Sequence, residues 1–119
     1  MFQTLSSFDY TMKKKKQYNV TGYVLGYLWG GGEGAYPSKE FKVNTKKDIL
    51  IKLRDGIENG SLDSGMGYES LIGGIFDIER ITTVKIDGDD YTHSDYEQVF
   101  YGKLSKKQKS FLEKVLYGE

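Results

Sequence analysis

The sequence predicts an α+β domain, an antiparallel sheet of four to five strands with two helices packed on one face. Three observations carry that expectation. Tyr18 to Trp29 alternates like a strand and empties into a glycine-rich turn. Thr45 to Asn59 and Ser105 to Gly118 carry apolar residues at helical spacing between capping residues. Asp87-Gly88, between Val84-Lys85-Ile86 and Asp89-Asp90-Tyr91, is the strongest short-range hairpin signal in the chain. The elements read β-β-α-β-β-(β)-α, and no parallel crossover is demanded.

Residues 1–17 are expected to form a flexible basic arm ahead of a single domain over residues 18–119. Phe2, Leu5, Phe8 and Met12 recur at roughly helical spacing, but Ser6 and Ser7 weaken that pattern. The consecutive lysines Lys13 to Lys16 repel one another and favour an extended, solvated chain. The other reading of this run is a basic patch touching phosphate or an acidic protein. In the first strand, Tyr18, Val20, Val24 and Leu28 share a face, with Gly22 and Gly26 between them. Asn19, Thr21, Tyr23, Leu25, Tyr27 and Trp29 share the other, so the second half is apolar on both sides. Ser38 to Val43 alternates again and completes a hairpin whose connection is the glycine segment. Pro37, the only proline, fixes its exit.

Thr45-x-x-Asp48 approximates a capping box, Ile49, Leu50, Leu53 and Ile57 form an apolar stripe, and Asn59-Gly60 ends the helix. Gly56 inside it costs about 1 kcal/mol relative to alanine, so packing has to hold this helix. Ser61 to Gly74 reads as an ordered loop pinned by Leu62, Met66, Leu71 and Ile72, with a helical turn at Tyr68 to Ile72. Ile75 to Ile86 reads as a strand pair or one bulged strand. Its apolar set passes from Phe76 and Ile78 to Ile81 and back to Val84 and Ile86, which a bulge near Arg80 would explain. Tyr96 to Leu104 reads as a strand, favoured by its aromatics and Gly102, in competition with a helix capped by Ser94-x-x-Glu97. The last helix is capped by Ser105-x-x-Gln108, buries Phe111, Leu112, Val115 and Leu116, and closes at Gly118. Lys106, Lys107, Lys109 and Lys114 take its solvated side.

Composition bounds the function. A single domain of 119 residues buries about two thirds of its unfolded surface. Basic and acidic residues both number 17, for zero net charge. That argues against wrapping duplex DNA and equally against mimicking it. With no cysteine and His93 as the single histidine, there is no disulfide framework, no thiolate nucleophile and no Cys- or His-clustered metal site. No apolar run has the length of a membrane span, and the N-terminus lacks a signal-peptide core. The expectation is a cytoplasmic protein without cofactor.

The motif search returns more exclusions than matches. The glycine segment fails the P-loop pattern, because Lys39 follows Pro37-Ser38 and a strand comes next. It fails G-x-G-x-x-G as well, since Gly30, Gly32 and Gly34 lead into Ala35, Tyr36 and Pro37. A non-standard nest of backbone N–H groups that binds an anion stays open, with Lys39 as its cation. So do a mobile hairpin tip and a protein contact. Asp87, Asp89 and Asp90 lack the frame of a calcium loop and suit a type I′ turn. Asp63 with Glu69, and Asp77 with Glu79, are paired carboxylates with nothing to place them in a pocket. His93 and Ser94 are adjacent on a strand and point apart, and no nucleophile elbow occurs.

The aromatics are the better clue. Tyr23, Tyr27, Trp29 and Tyr36 are expected on one side of the first hairpin, either as core beneath a helix or as an exposed surface suited to proteins or base stacking. The candidate partner- or ligand-binding set is Tyr23, Tyr27, Trp29, Gly31, Gly32, Glu33, Tyr36 and Lys39. In composition, being short, neutral, cysteine-free and rich in Tyr, Lys, Gly and Asp, the chain resembles small accessory proteins of phages and mobile elements, including anti-CRISPR-like inhibitors of bacterial defence. That resemblance implies a non-enzymatic protein that occupies a surface of a larger protein partner. The alternative is a small-nucleotide binder using the glycine loop, and a homodimer pairing edge strands is a third possibility.

Overall fold

Two long antiparallel strands form the centre of the molecule. The computed structural model describes residues 13–28, 32–63 and 68–118. Along the chain these form β1 (Lys13–Leu28), β2 (Glu33–Pro37), β3 (Phe41–Val43), α1 (Lys46–Glu58), β4 (Tyr68–Ile86), β5 (Asp89–Gly102) and α2 (Lys106–Tyr117). The five strands make one antiparallel sheet in the order β2-β1-β4-β5, with β3 also on β1. The class is α+β, and Tyr96 to Gly102 is strand.

The lysine run belongs to this sheet rather than to an arm. Lys13 to Lys16 pair with Lys85 to Thr82, because β4 runs on to its turn with β5 on one side and offers its other edge as a backbone ladder. Tyr68 to Ile72 is strand rather than a helical turn, since the same ladder continues against the end of β1. No bulge occurs near Arg80. The irregularities lie at the other end, where Leu25 and Gly26 face Gly73 and Leu71, and Tyr27 and Leu28 face Ser70 and Tyr68. Ile78, Arg80, Thr82, Val84 and Ile86 thus keep one face, and Ile81 stands on the other. Asp87 and Gly88 both take positive φ, 51° and 87°, as a type I′ turn requires.

The two helices, expected on one face, divide between both. Val24 and Leu25 are consecutive and therefore point to opposite sides, and each is fully buried. Val24 joins Tyr18, Val20, Val43, Phe76 and Ile78 beneath Ile49, Leu53 and Ile57 of α1. Leu25 joins Ile75 beneath Leu112 of α2, with Tyr23, Ala35, Ile72, Phe100, Leu104 and Leu116 around them. A strand segment that is apolar on both faces needs a cover on each.

Local signals explain both helices. The Thr45 side chain accepts from the Asp48 N–H at 3.1 Å. Gly56 is buried under Leu62, whose Cγ would lie 2.4 Å from an added Cβ. Leu50 faces solvent instead of joining the stripe. Ser105 and Gln108 form a reciprocal capping box, and Gly118 ends α2 in the left-handed conformation. Leu112 is the one fully buried anchor of α2, and Phe111 is exposed. Lys109 Nζ sits 5.5 Å from the centroid of the Phe100 ring.

Backbones also meet closely in the central pair, where a Cβ on Gly22 would lie 2.1 Å from the Ile75 carbonyl oxygen. The described molecule measures 64 × 29 × 23 Å. Neither buried cluster includes a residue of β4 beyond Ile78, so β1, β4 and β5 continue past that point as an uncovered three-stranded ribbon.

Candidate functional site

The residues singled out from the sequence do not converge. Trp29 and Gly31 lie outside the described residues. Tyr23 is half-buried against the cluster beneath α2. Tyr27, on the same face, is 42% exposed and stands opposite Glu33. Tyr36 pairs with Val24 and so takes the other face, contrary to the expected single aromatic side. Gly32 is open, with nothing within 4 Å of an added Cβ. The Glu33 carboxylate accepts from Gln108 Nε2 at 3.1 Å, which ties the hairpin to the start of α2.

Lys39 is the clearest correction. Glu33 to Pro37 is strand, so the glycine turn is shorter than expected, and Lys39 lies beyond the far end of β2. Five strand residues span about 17 Å, which removes Lys39 from the turn as a cation. Pro37 opposes Tyr23 and Phe41 opposes Val20. Ser38 to Glu40 therefore face only Thr21 and Gly22, a one-residue bulge. Here the Lys39 N–H donates to the Leu62 carbonyl at 3.0 Å and Ser38 bridges to Asp63.

The ribbon carries the more organised chemistry. On its α1 side, Arg80 Nη2 donates to Asp95 Oδ2 at 2.6 Å, and His93 Nε2 lies 3.0 Å from Asp95 Oδ1. The Arg80 guanidinium, and after it His93, hold the Asp95 carboxyl below its ordinary range. On the α2 side, Asn19 Nδ2 and the Tyr96 hydroxyl both donate to Glu79, at 3.1 and 3.0 Å. These hydrogen bonds lower the Glu79 pKa, Asn19 contributing most, and Glu79 in turn raises that of Tyr96. Asp77 and Glu79 do share a face, but Glu79 is a structural acceptor between two neighbouring strands. His93 stands on open sheet with its side chain 74% exposed, and Ser94 is on the opposite face.

Charge is sorted across the ribbon. One side is lysine-rich, and Lys15, Lys16, Gln17, Asn44, Ile81 and Thr83 line an open cavity of about 480 Å³. The other side, the β4–β5 turn and β5, carries Asp87, Asp89, Asp90, Asp95 and Glu97. Tyr91, at 56% exposure, and Tyr96, at 72%, stand among them, with Ile86 next to the turn.

Sequence reasoning missed this surface, although element lengths hold the signal. Helices of 13 and 12 residues are about 20 and 18 Å long, whereas a 19-residue strand runs to about 63 Å. Much of the long strand must therefore stay uncovered.

Among the described residues, no three His, Cys, Asp or Glu side chains are grouped to hold a metal ion, and no helix is long and apolar enough to cross a membrane. No known protein family, curated protein or solved structure gives a significant match to this chain, so what it does is argued from the geometry of its own residues.

Proposed function

We propose that this is a non-enzymatic binding protein that acts by occupying a surface of a larger protein partner, as an anti-defence inhibitor would. The uncovered ribbon is the observation that carries the reading. Rigid, amphipathic tyrosines exposed on a regular sheet are the residue type enriched at protein interfaces. Arg80, His93, Asp95 and Glu79 of the ribbon are each engaged in side-chain hydrogen bonds, with one another or with Asn19 and Tyr96, an arrangement that stiffens a surface rather than freeing these groups for chemistry. A second reading, a small-nucleotide binder, is favoured by the lysine-lined cavity in place of the glycine turn. A thermal-shift panel of nucleotides with magnesium reads that out.

The test is capture from bacterial lysate with tagged wild type, a Tyr91→Ala/Tyr96→Ala variant and a Trp29→Ala/Tyr36→Ala variant. A discrete partner should be held by wild type and weakened at least about tenfold in the ribbon variant, with melting unchanged, since buried tyrosine anchors carry 2 kcal/mol or more (about) each. Loss in the hairpin variant alone would move the surface to the glycine turn. No partner for any form would sink the reading.

A further inference from the structure

Resting on that reading, we propose that the outer edge of β5, from Asp89 to Gln98, takes up an extended lysine- or arginine-bearing segment of the partner as an added strand. β5 closes the sheet order. Among the described residues it pairs with β4 alone, in one unbroken register from Asp89 to Gly102. It contains no proline, lysine or bulge, the usual devices that blunt an edge.

The phase of its backbone follows from the turn. A two-residue loop makes the flanking pair, Ile86 and Asp89, hydrogen-bonded, and antiparallel pairs alternate from there. Tyr91, His93, Asp95 and Glu97 therefore spend their backbone groups on β4. Those of Asp90, Thr92, Ser94, Tyr96 and Gln98 point outward, a ready ladder for another strand.

Charge selects which strand. From Asp87 to Gln98 there are five carboxylates and no lysine or arginine. Lys85 and Arg80 reach Asp90 and Asp95, and no described basic group lies within ion-pairing distance of Asp87, Asp89 or Glu97. A second copy of β5 would set acid against acid, which disfavours a two-fold dimer through this edge. A basic strand sets lysine or arginine against those carboxylates.

Amide hydrogen exchange of the full chain, followed residue by residue, tests this with a soluble peptide of alternating lysine and valine and a glutamate–valine control. The amides of Thr92, Ser94 and Tyr96 should exchange freely alone and slow at least about tenfold with the lysine peptide. Those of Tyr91, His93 and Asp95 should be protected throughout. No slowing, or equal slowing by both peptides, overturns the inference.

Ser94→Pro adds a second readout, because it deletes an outward donor and leaves the β4 ladder intact. Its expected effect on lysate capture is at least a tenfold loss (about). Undiminished capture overturns the edge while leaving the binding function standing. An absent partner for wild type instead fails the function itself. Oligomers that grow with concentration through the Lys13–Lys16 segment would replace the foreign partner with a second copy and so overturn the proposal.

Discussion

Gly22→Ala is the sharpest probe of the central pair. An added Cβ would meet the Ile75 carbonyl oxygen at 2.1 Å and the Phe76 Cα at 2.8 Å, where ordinary contact begins at 3.4 Å. Both obstacles are backbone in the longest ladder of the sheet, so no side-chain rotation relieves them, and β1 and β4 must part by about 1 Å. Overpacking of this kind costs about 1–3 kcal/mol, and an unyielding neighbour places the effect at the upper end. Unfolding entropy of about 2.1 cal/mol/K per residue makes 1 kcal/mol worth about 4 °C in a chain this long, so Tm should fall by about 12 °C. Gly32→Ala is the matched control. Nothing lies within 4 Å of its Cβ, and the loss of unfolded-chain entropy should raise stability by about 0.4–1 kcal/mol. Calorimetry on both variants decides the matter. A Gly22→Ala protein melting within about 2 °C of wild type, or equal shifts in the two variants, would refute the close approach of β1 and β4.

Leu53 of α1 is fully buried against the sheet whereas Leu50, on the same helix, is 59% exposed. Leu53→Ala should therefore cost about 2–5 kcal/mol and Leu50→Ala less than about 0.5 kcal/mol, measured by urea unfolding. Glu79 and Asp95 are both held below the ordinary carboxylate range, so the stability they contribute is present above about pH 4 and is lost as pH falls through that range. A Glu79→Gln/Asp95→Asn variant should show a flatter decline in its urea midpoint below about pH 4 than wild type, and parallel curves would remove these two groups from the account.

What was legible in the sequence was local. Asp87-Gly88 specifies its turn from two residues, Ser105 and Gln108 cap α2 within one helical turn, and Gly118 ends it. The alternation that makes Tyr23 to Tyr27 apolar on both faces was legible too, but its meaning was not. Only the sheet shows that α1 takes one face and α2 the other. Strand pairing over long separations hid the rest. Whether Tyr36 joins Tyr23 depends on a register that puts Tyr36 opposite Val24. Whether four lysines form an arm or a strand depends on β4, which follows them by more than half the chain. Lys39 was misplaced because Glu33 to Pro37, with Gly34 among them, pair in β2 instead of looping, and the bulge at Ser38 to Glu40 has no signature in residue type.

The arrangement of partners around β1 and β4 has a consequence for how the chain folds. β4 and β5 zip from a two-residue turn, and β1 meets β2 and β3 through a short connection, so each set forms from neighbours in sequence. The ladder between β1 and β4 is of another kind, joining Lys13 to Lys85 and Leu25 to Gly73 across α1. Closing it spends chain entropy before any contact repays it, which places mixed topologies of this sort among the slower small domains. The fold is thus two locally built pieces and one seam. α1 docks across that seam, with Val20 and Val24 from one piece and Phe76 and Ile78 from the other beneath it, and acts as the clasp that holds the pieces together once they meet.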